Sequence, residues 1–439
     1  MRVLYACHQF FPEYYTGTER YTLDLAKQMQ RMGHHIAVLT YATKELVWEK
    51  PLANTALWRT FEYEGVPVIA FRHSDFDRKG GLPGVSFGFR DPVMCQEIKR
   101  FLDECRFDLL HCIHPMRVGE TVNAVKERGL RVVLHLMDYW ALCPRATLQR
   151  PDGTLCDGPD TGKNCAVNCY QTEALDRLRN RWIETQEMLA LTDVVVSHSQ
   201  FLINVFRRNG INTSQFVHLP VGMNYALVKN ANWRPSDRRT AVINIAFLGT
   251  LLPHKGVHVL IKAFTKVRSD NLRLKIYGGY FHAHEYYSNL LALAEADKRI
   301  EFCGDYAFDG IADVVEDIDV VIVPSVWHEN APLVISVAQM FGIPVIASSL
   351  GGMVEMIVDG VNGFTFKPGD VDDLADKIRL IAANPDILTD LSARKVLPPR
   401  IESEAFILES LYASLIEGNG TSTIHIPSPP TGSGQARRQ

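Results

Sequence analysis

Short, almost continuous apolar runs alternate with amphipathic segments along the first half of the chain. The runs lie at residues 2–6, 36–39, 109–113, 132–136 and 194–197. Runs that are apolar at nearly every position are typical of parallel strands covered on both faces. Between the first two runs, apolar residues at helical spacing predict a helix over residues 18–32: Tyr21, Leu25, Met29 and Met32. Gly33 then ends that helix as a C-terminal cap, so the pattern predicts a strand–helix–strand order.

The same alternation starts again near residue 242. Strands are predicted at 242–248, 272–277, 300–303, 319–323 and 344–347, and helices at 257–267 and 371–382. Polar, irregular sequence at residues 223–241 separates the two series and predicts a hinge. Two successive βαβ series predict two doubly wound, Rossmann-like α/β domains that face an interdomain cleft, where ligands bind at the carboxyl ends of the strands.

This pattern also predicts where each segment begins and ends. We expect an N-terminal Rossmann-like domain over residues 1–222, a C-terminal one over 241–400 and a final helix over 401–417. Residues 418–439 are rich in Gly, Ser, Thr and Pro. They predict a disordered tail, because so few apolar groups cannot offset the entropy of ordering.

Composition narrows the class of protein. The chain has 439 residues, of which 46% are apolar and 22% charged, and 46 basic against 50 acidic residues give a net charge of −4. Without a basic surplus, a nucleic-acid partner is not expected. An odd number of cysteines, no apolar stretch of about 18 residues and an N-terminus soon broken by polar groups predict a cytoplasmic protein.

One candidate site lies at residues 324–333, directly after the predicted strand 319–323 and before a predicted helix over 334–341. Backbone amides at such a helix start bind phosphate oxygens, and the Glu329 carboxylate suits sugar hydroxyls. The alternative interpretation is that Glu329 caps the helix.

Two further loops have the same strand–loop–helix context. In residues 247–256, glycines at both ends allow close backbone approach and Lys255 can bind a phosphate, although the spacing is not that of a Walker loop. In residues 8–20, Gly17 lies where a helix begins, so its amide can face the cleft. A solvated lysine and a simple turn glycine are the alternatives.

Together these segments resemble the retaining glycosyltransferases of family four, which have the two-domain GT-B fold. The resemblance extends from Phe11-Pro12-Glu13-Tyr14 to Gly351-Gly352-Met353-Val354-Glu355 and on to Asn362-Gly363-Phe364, nearly the whole chain. Residues 137–145 and 331–335 are similar to those of bacterial surface-polysaccharide members. The resemblance implies a nucleotide-sugar donor, a saccharide or lipid-linked acceptor, and catalysis that needs no metal or other cofactor.

The resemblance also implies roles for individual residues. Lys255 would hold the donor diphosphate and Glu329 the donor sugar, which makes these two the catalytic candidates. The implied donor-binding set is Gly17, Gly249, Thr250, Lys255, Glu329, Asn330, Ala331, Pro332 and Leu333.

Three positions depart from the family pattern: Val337 replaces a ribose-binding glutamate, Thr250 an arginine and Met137 a histidine near the donor sugar. Each change removes a polar contact of about 1–3 kcal/mol if its partner is buried. His135, Asp138 and Arg145 are candidates to compensate. Two hypotheses therefore remain: an active transferase, or a degenerate relative that acts as a sugar-nucleotide-binding or partner subunit.

Four thiols lie within 27 residues of one another: Cys143, Cys156, Cys165 and Cys169. They predict either unliganded, reduced cysteines, which is the favoured interpretation, or a structural Zn²⁺ site, whose usual paired C-x2-C spacing is missing. The Asp317-Ile318-Asp319 sequence precedes a buried strand, so a metal role for it is disfavoured.

A basic helical stretch carries Arg177, Arg179 and Arg181 beside Trp182, and Arg78-Lys79 lie in another loop. It predicts either a plain solvated face or peripheral contact with anionic lipid at the inner face of the membrane. A nucleotide-sugar 2-epimerase would need an acid–base pair that we do not find. A dinucleotide dehydrogenase would need G-x-G-x-x-G after the first strand.

Overall fold

The structure is a computed structural model that describes residues 1–42, 58–71, 90–229, 242–280, 283–394 and 396–418. The strands are β1 Arg2–Cys7, β2 His35–Tyr41, β3 Trp58–Tyr63, β4 Val66–Phe71, β5 Leu109–Cys112, β6 Arg131–Leu136, β7 Val194–Ser197, β8 Phe216–His218, β9 Ile243–Leu248, β10 Leu272–Tyr277, β11 Ile300–Gly304, β12 Val320–Val323, β13 Val345–Ser348 and β14 Gly363–Phe366. The helices are α1 Gly17–Arg31, α2 Pro92–Glu104, α3 Glu120–Lys126, α4 Lys163–Asn168, α5 Leu175–Leu191, α6 Gln200–Arg208, α7 Ala226–Lys229, α8 Val257–Thr265, α9 His284–Ala294, α10 Ile311–Val315, α11 Leu333–Phe341, α12 Met353–Met356, α13 Val371–Ala383, α14 Asp386–Ala393 and α15 Ile401–Ile416.

Within the described residues, eight strands form the N-terminal sheet in the order β3-β4-β2-β1-β5-β6-β7-β8. Every pair is parallel except the hairpin of β3 and β4. Buried apolar residues cover both faces of the sheet, as expected for continuous apolar strands. The sequence-based strands are confirmed here to within two residues, whereas β3, β4 and β8 were not predicted.

The C-terminal sheet has six parallel strands in the described chain, ordered β11-β10-β9-β12-β13-β14. β9 and β12 are neighbours at its centre. The loops after these two strands therefore emerge side by side at the carboxyl edge of the sheet. These are the loops that carry Lys255 and Glu329.

The last helix, α15, packs on the N-terminal domain rather than on the C-terminal one. Its buried residues join the apolar cluster of β1 and α1: Ile401, Ala405, Leu408, Leu411, Tyr412 and Leu415. The chain thus crosses between the domains twice, and the crossings touch where Met223 N donates to Pro399 O and Ile401 N to Met223 O. This arrangement of two Rossmann-like domains agrees with the predicted GT-B architecture.

The predicted hinge, 223–241, begins with a short helix, α7, so its first part is not irregular. Its remainder, 230–241, and nearly all of the predicted tail, 419–439, lie outside the described residues. Among the helices that the structure describes, none has the length and apolar character needed to cross a membrane.

Candidate active site

The loops after β9 and β12 pack against each other more closely than any side chain would allow. Gly256 has φ +74°, and a Cβ added there would lie 1.9 Å from Pro324 O. A glycine is therefore required at this position, both for the left-handed backbone and for the close approach. The contact brings Lys255, one residue earlier, against the loop that carries Glu329.

Three donors converge on one carboxylate oxygen, Glu329 Oε1. All three hydrogen bonds are 2.7 Å long, and their donors are Lys255 Nζ, Ser325 Oγ and Trp327 Nε1. Lys255 Nζ also lies 5.1 Å from the centroid of the Trp327 ring, a cation–π contact. The Glu329 side chain is 6% exposed and that of Lys255 25%, so the ammonium is the more accessible of the two charges.

Glu329 is held as a carboxylate. Burial alone would raise its pKa, but the Lys255 charge and the hydrogen bonds from Lys255, Ser325 and Trp327 outweigh burial and lower the pKa below its usual value. The residue does not cap the following helix, because α11 begins at Leu333 with Pro332 as its N-cap and no side-chain cap. The capping interpretation is therefore wrong.

Asn330 joins this loop to the N-terminal domain. Its Nδ2 donates to Leu136 O at 3.0 Å and to Met137 O at 3.1 Å, and its Oδ1 accepts from Ser199 Oγ at 2.6 Å. The side chain is buried, so these bonds are shielded from solvent. Asn330 therefore fixes the loop of Glu329 to the ends of β6 and β7.

Two helix N-termini face each other at the same place. Gly17 begins α1, and a Cβ added there would lie 3.4 Å from Leu333 Cδ1 at the start of α11. Each N-terminus carries partial positive charge, so both helix ends favour an anion nearby.

Two family models match the chain. The model of a glycosyl transferase 4-like domain matches residues 16–222, and that of glycosyl transferases group 1 matches residues 231–395. The D-inositol 3-phosphate glycosyltransferase of Corynebacterium aurimucosum is 30% identical over 378 residues, which cover 82% of this chain and 82% of that protein. The chain belongs to glycosyltransferase family four.

Other relatives of this glycosyltransferase extend the comparison. The D-inositol 3-phosphate glycosyltransferase of Kribbella flavida is 25% identical over 390 residues, 84% of this chain and 83% of that one. HepE of Anabaena, solved with UDP-glucose, superposes with a TM-score of 0.68 at 19% identity over 94% of this chain and all of HepE (100%). Sucrose-phosphate synthase from Thermosynechococcus elongatus superposes with 0.70 at 18% identity over 95% of this chain and 99% of that one. These structures confirm the GT-B fold.

The remaining donor-binding candidates of the glycosyltransferase surround the Lys255–Glu329 pair. Gly249 and Thr250 follow β9, and Ala331, Pro332 and Leu333 precede or begin α11; all five are partly exposed. Val337, by contrast, is buried in the apolar core of the C-terminal domain. The position of the family's second glutamate therefore has an apolar environment here.

The three candidates for compensation lie in different places. Asp138 is close to the cleft, where Oδ2 lies 3.1 Å from His114 Nε2 and Oδ1 accepts from Trp140 N. Arg145 is exposed and donates to Gln149 O among the cysteines. His135 is fully buried beside Tyr21 and His198, so in this structure it has no surface to offer a donor as compensation.

Sequence reasoning missed two polar residues near this site, His114 and Ser199, and gave no role to Ser325 and Trp327 within the predicted segment 324–333. The indole of Trp327 and the hydroxyl of Ser325 lie within four residues of Glu329, so their proximity was a usable signal. His114 and Ser199 come from distant strands and reach the site through the sheet order alone.

Two surface predictions need correction. Arg181 is buried, and it donates to the carbonyls of Trp140 and Ala141 instead of lying on a basic face. Its neighbour Trp182 packs against the core of the N-terminal domain. Arg177 and Arg179 are exposed, while Arg78 and Lys79 lie outside the described residues.

The Asp317 and Asp319 carboxylates already have structural partners at the start of β12. Asp319 Oδ2 accepts from Asn244 N at 2.7 Å, and Asp317 forms an ion pair with Lys275. Both contacts lie at the amino end of the strand, away from the edge of the sheet that carries the candidate site.

Proposed function

We propose that the glycosyltransferase moves a sugar from a nucleoside-diphosphate sugar to a hydroxyl of a saccharide or lipid-linked acceptor, with retention of anomeric configuration. The observation that carries the proposal is the partly buried ion pair of Glu329 and Lys255, in the loop that leads into α11, whose first residue contacts Gly17 at the start of α1. A cation and two helix ends favour a diphosphate. The carboxylate beside them favours sugar hydroxyls.

The proposed chemistry follows from where charge develops. As the bond between the anomeric carbon and the diphosphate oxygen breaks, negative charge grows on the leaving group, and Lys255 and the backbone N–H groups of Asn330, Ala331 and Leu333 stabilise it. The acceptor hydroxyl attacks the same face of the sugar, and the departing phosphate oxygen takes its proton. In this scheme fixed positive groups of the protein do the work for which other transferases use a metal ion.

Asn330 would make the reaction depend on domain contact. Its three interdomain hydrogen bonds exist only when the loop of Glu329 rests against the ends of β6 and β7. Closing the domains then completes the site and excludes water, which suits transfer over hydrolysis.

The donor and acceptor are proposed at the level of chemical class. HepE, of the same fold, was solved with UDP and with UDP-glucose, so uridine-diphosphate sugars come first in a panel. The sequence motifs at residues 137–145 and 331–335 favour polysaccharide or glycolipid assembly at the cytoplasmic side of the membrane. Exposed Arg177 and Arg179 would supply the peripheral contact with anionic lipid there.

A degenerate, donor-binding relative is the second candidate, favoured by the burial of Val337 in the core. A panel of UDP, GDP, ADP and dTDP sugars separates the two. Release of nucleoside diphosphate, with or without added acceptors, supports the transferase. Thermal stabilisation by a donor without any release supports the degenerate relative, and neither effect with any donor contradicts both.

A further inference from the structure

The fold gathers four thiols in the long connection between β6 and α5. Cys143 lies in a turn after β6 and Cys156 in the following loop, while Cys165 and Cys169 lie one helical turn apart at α4. Cys143, Cys156 and Cys165 are buried, Cys169 is partly exposed, and none forms a disulfide. Each of Cys143, Cys165 and Cys169 lies close enough to other members of the group for their charges to interact.

Hydrogen-bond donors point at two of the sulfur atoms. Burial raises the pKa of the Cys143 thiol, and the backbone N–H groups of Leu148 and Arg145, which donate to its sulfur, offset part of that rise. Asn164 Nδ2 lies 3.4 Å from Cys156 Sγ. Donors of this kind stabilise a thiolate and orient it, as the outer partners of metal ligands do.

Positive charge also surrounds the group. Burial raises the pKa values of Cys143, Cys165 and Cys169; the guanidinium of Arg181 offsets a part of this for the first two, and those of Arg145 and Arg150 for Cys169. Four thiolates around one Zn²⁺ carry a net charge of −2, since −4 + 2 = −2. A buried cation beside that charge lowers the free energy of desolvating it.

The backbone of the same segment is unusually constrained. Four residues other than glycine have positive φ here: Ala146, Leu148, Asp160 and Thr161. Such conformations persist only where the surroundings impose them. The first part of the segment packs into the core of the N-terminal domain through Cys143 and Leu148. Around α4, by contrast, the buried apolar cluster is small: Cys165, Ala166, Ala174 and Leu178. A cluster of this size points to a further stabilising interaction at α4.

We propose that Cys143, Cys156, Cys165 and Cys169 bind one structural Zn²⁺. The described residues contain one group whose ligand atoms all lie within 4.8 Å, Cys7 with His8 and Glu19, so the four sulfurs are spaced more widely than that. Zn–S bonds of about 2.3 Å require sulfurs about 3.8 Å apart. Zinc binding therefore draws the loop and α4 together.

The cysteine segment that zinc would stabilise contacts the loop of the candidate active site. Gln149, between the first two cysteines, donates to Val326 O at 3.2 Å, and Cys156 and Asn164 line a cavity of about 530 Å³ with His328, the neighbour of Glu329. The site thus supports the N-terminal side of the cleft without taking part in the proposed chemistry.

The test measures zinc itself in the purified full-length chain, by mass spectrometry of the metal. We expect about one zinc per chain, and a loss of at least tenfold in Cys165→Ser. Cys303→Ser, which changes a partly exposed thiol of the other domain, is the matched control and keeps the metal. Removing zinc with a chelator should expose four further thiols to a thiol reagent and make the segment 143–169 sensitive to protease.

Several outcomes overturn the proposal: no zinc even after addition of Zn²⁺ to the reduced protein, equal zinc in Cys165→Ser, a disulfide among the four thiols, or zinc lost in Cys7→Ser alone. Should Cys165→Ser not fold, the more exposed Cys169 offers a second pair of variants. Cys169→His keeps a zinc ligand and should retain the metal, whereas Cys169→Ala should lose it. None of these readouts depends on transferase activity, so the failure of one proposal is distinguishable from the failure of the other.

Discussion

Ser199 and Asn330 are 131 residues apart and belong to different domains, yet their side chains form a 2.6 Å hydrogen bond across the cleft. In that bond the Ser199 hydroxyl donates to Asn330 Oδ1, and the Asn330 amide nitrogen donates to two carbonyls of the N-terminal domain, those of Leu136 and Met137. The side chain of Asn330, in the loop just before α11, therefore links the C-terminal domain to the N-terminal one.

Replacing Asn330 should lower the catalytic rate, because this residue makes the bonds between the domains. In Asn330→Ala we expect kcat to fall at least tenfold, about 1.4 kcal/mol in the barrier, because the loop of Glu329 loses its interdomain bonds. Asn204→Ala removes a partly exposed amide that bonds within α6 and should leave kcat unchanged. Small-angle scattering with and without donor measures domain closure, and an unchanged kcat in Asn330→Ala would show that this contact is dispensable.

The ion pair of the site should be essential for turnover. Lys255→Ala and Glu329→Ala should each lower kcat/KM at least tenfold, about 1.4 kcal/mol of transition-state stabilisation, with folding intact. Lys262→Ala, an exposed lysine of α8, is the control and should behave as wild type. Steady-state kinetics with the best donor, together with circular dichroism, checks the result. Wild-type turnover in both variants would refute the site assignment.

Stability should depend on pH through Glu404. Burial raises the pKa of this carboxyl to about 7, although Tyr21 OH and Gly222 N donate to it. The neighbouring tyrosines Tyr5, Tyr21 and Tyr412 stay neutral because burial raises their pKa values. Burial lowers the pKa values of the histidines that contact Tyr21 and Tyr412, which are His111, His135 and His198. These histidines add a pH dependence of the opposite sign below about pH 6.5, but they do so in the wild type and in a Glu404 variant alike. A raised pKa favours the protonated folded state, so its stabilisation is complete below about pH 4.5 and is lost as pH rises through about 7.

The expected size of this effect is about 3 kcal/mol in the free energy of unfolding between pH 4.5 and 8. Glu404→Gln should remove that pH dependence and be the more stable protein at pH 8, because an amide can accept from Gly222 and donate to Tyr21. Glu402→Gln, exposed on the same helix, should retain the wild-type profile. Urea unfolding at several pH values between about 4.5 and 8 gives the free energy of unfolding of each protein. If this free energy changes with pH in parallel for wild type and Glu404→Gln, Glu404 is not the source of the pH dependence.

The close approach of Gly256 to Pro324 should make this position intolerant of any side chain. Gly256→Ala combines a left-handed backbone with a Cβ 1.9 Å from Pro324 O, so we expect it to cost more than 2 kcal/mol, about 1 kcal/mol of which is the backbone alone. Gly360→Ala isolates the backbone cost, since φ is +72° there and nothing lies within 4 Å of the added Cβ. Thermal unfolding compares the two, and equal losses would mean that the Pro324 contact relaxes freely.

The strand that was predicted most directly is buried on both faces. The run 194–197 matches β7 in both bounds, because a continuous apolar run leaves little choice of boundary. The predicted strand 272–277 also matches β10, in which buried residues alternate with more exposed ones such as Arg273 and Lys275. β3 was missed because it is an edge strand without a fully buried residue.

The candidate site also contains residues that the sequence predicted and contacts that it did not. Lys255 and Glu329 were predicted because each follows a strand and precedes a helix, and the sheet order then makes their loops neighbours. The bonds of Asn330 to β6 and β7 depend on how two domains meet, which no local spacing encodes. Arg181 was misassigned for a similar reason: its charge predicted solvent, but the carbonyls that bury it lie 40 residues earlier in the chain.

The packing of α15 on the N-terminal domain has a consequence for the design of truncated or chimeric proteins. Because Leu408, Leu411 and Tyr412 complete the core built by β1 and α1, residues 1–222 expressed alone would present an open apolar groove where that helix belongs. A chimera that exchanges the N-terminal domain between family members must therefore transplant two stretches of sequence, the first 222 residues and residues 401–416, with the C-terminal domain inserted between them.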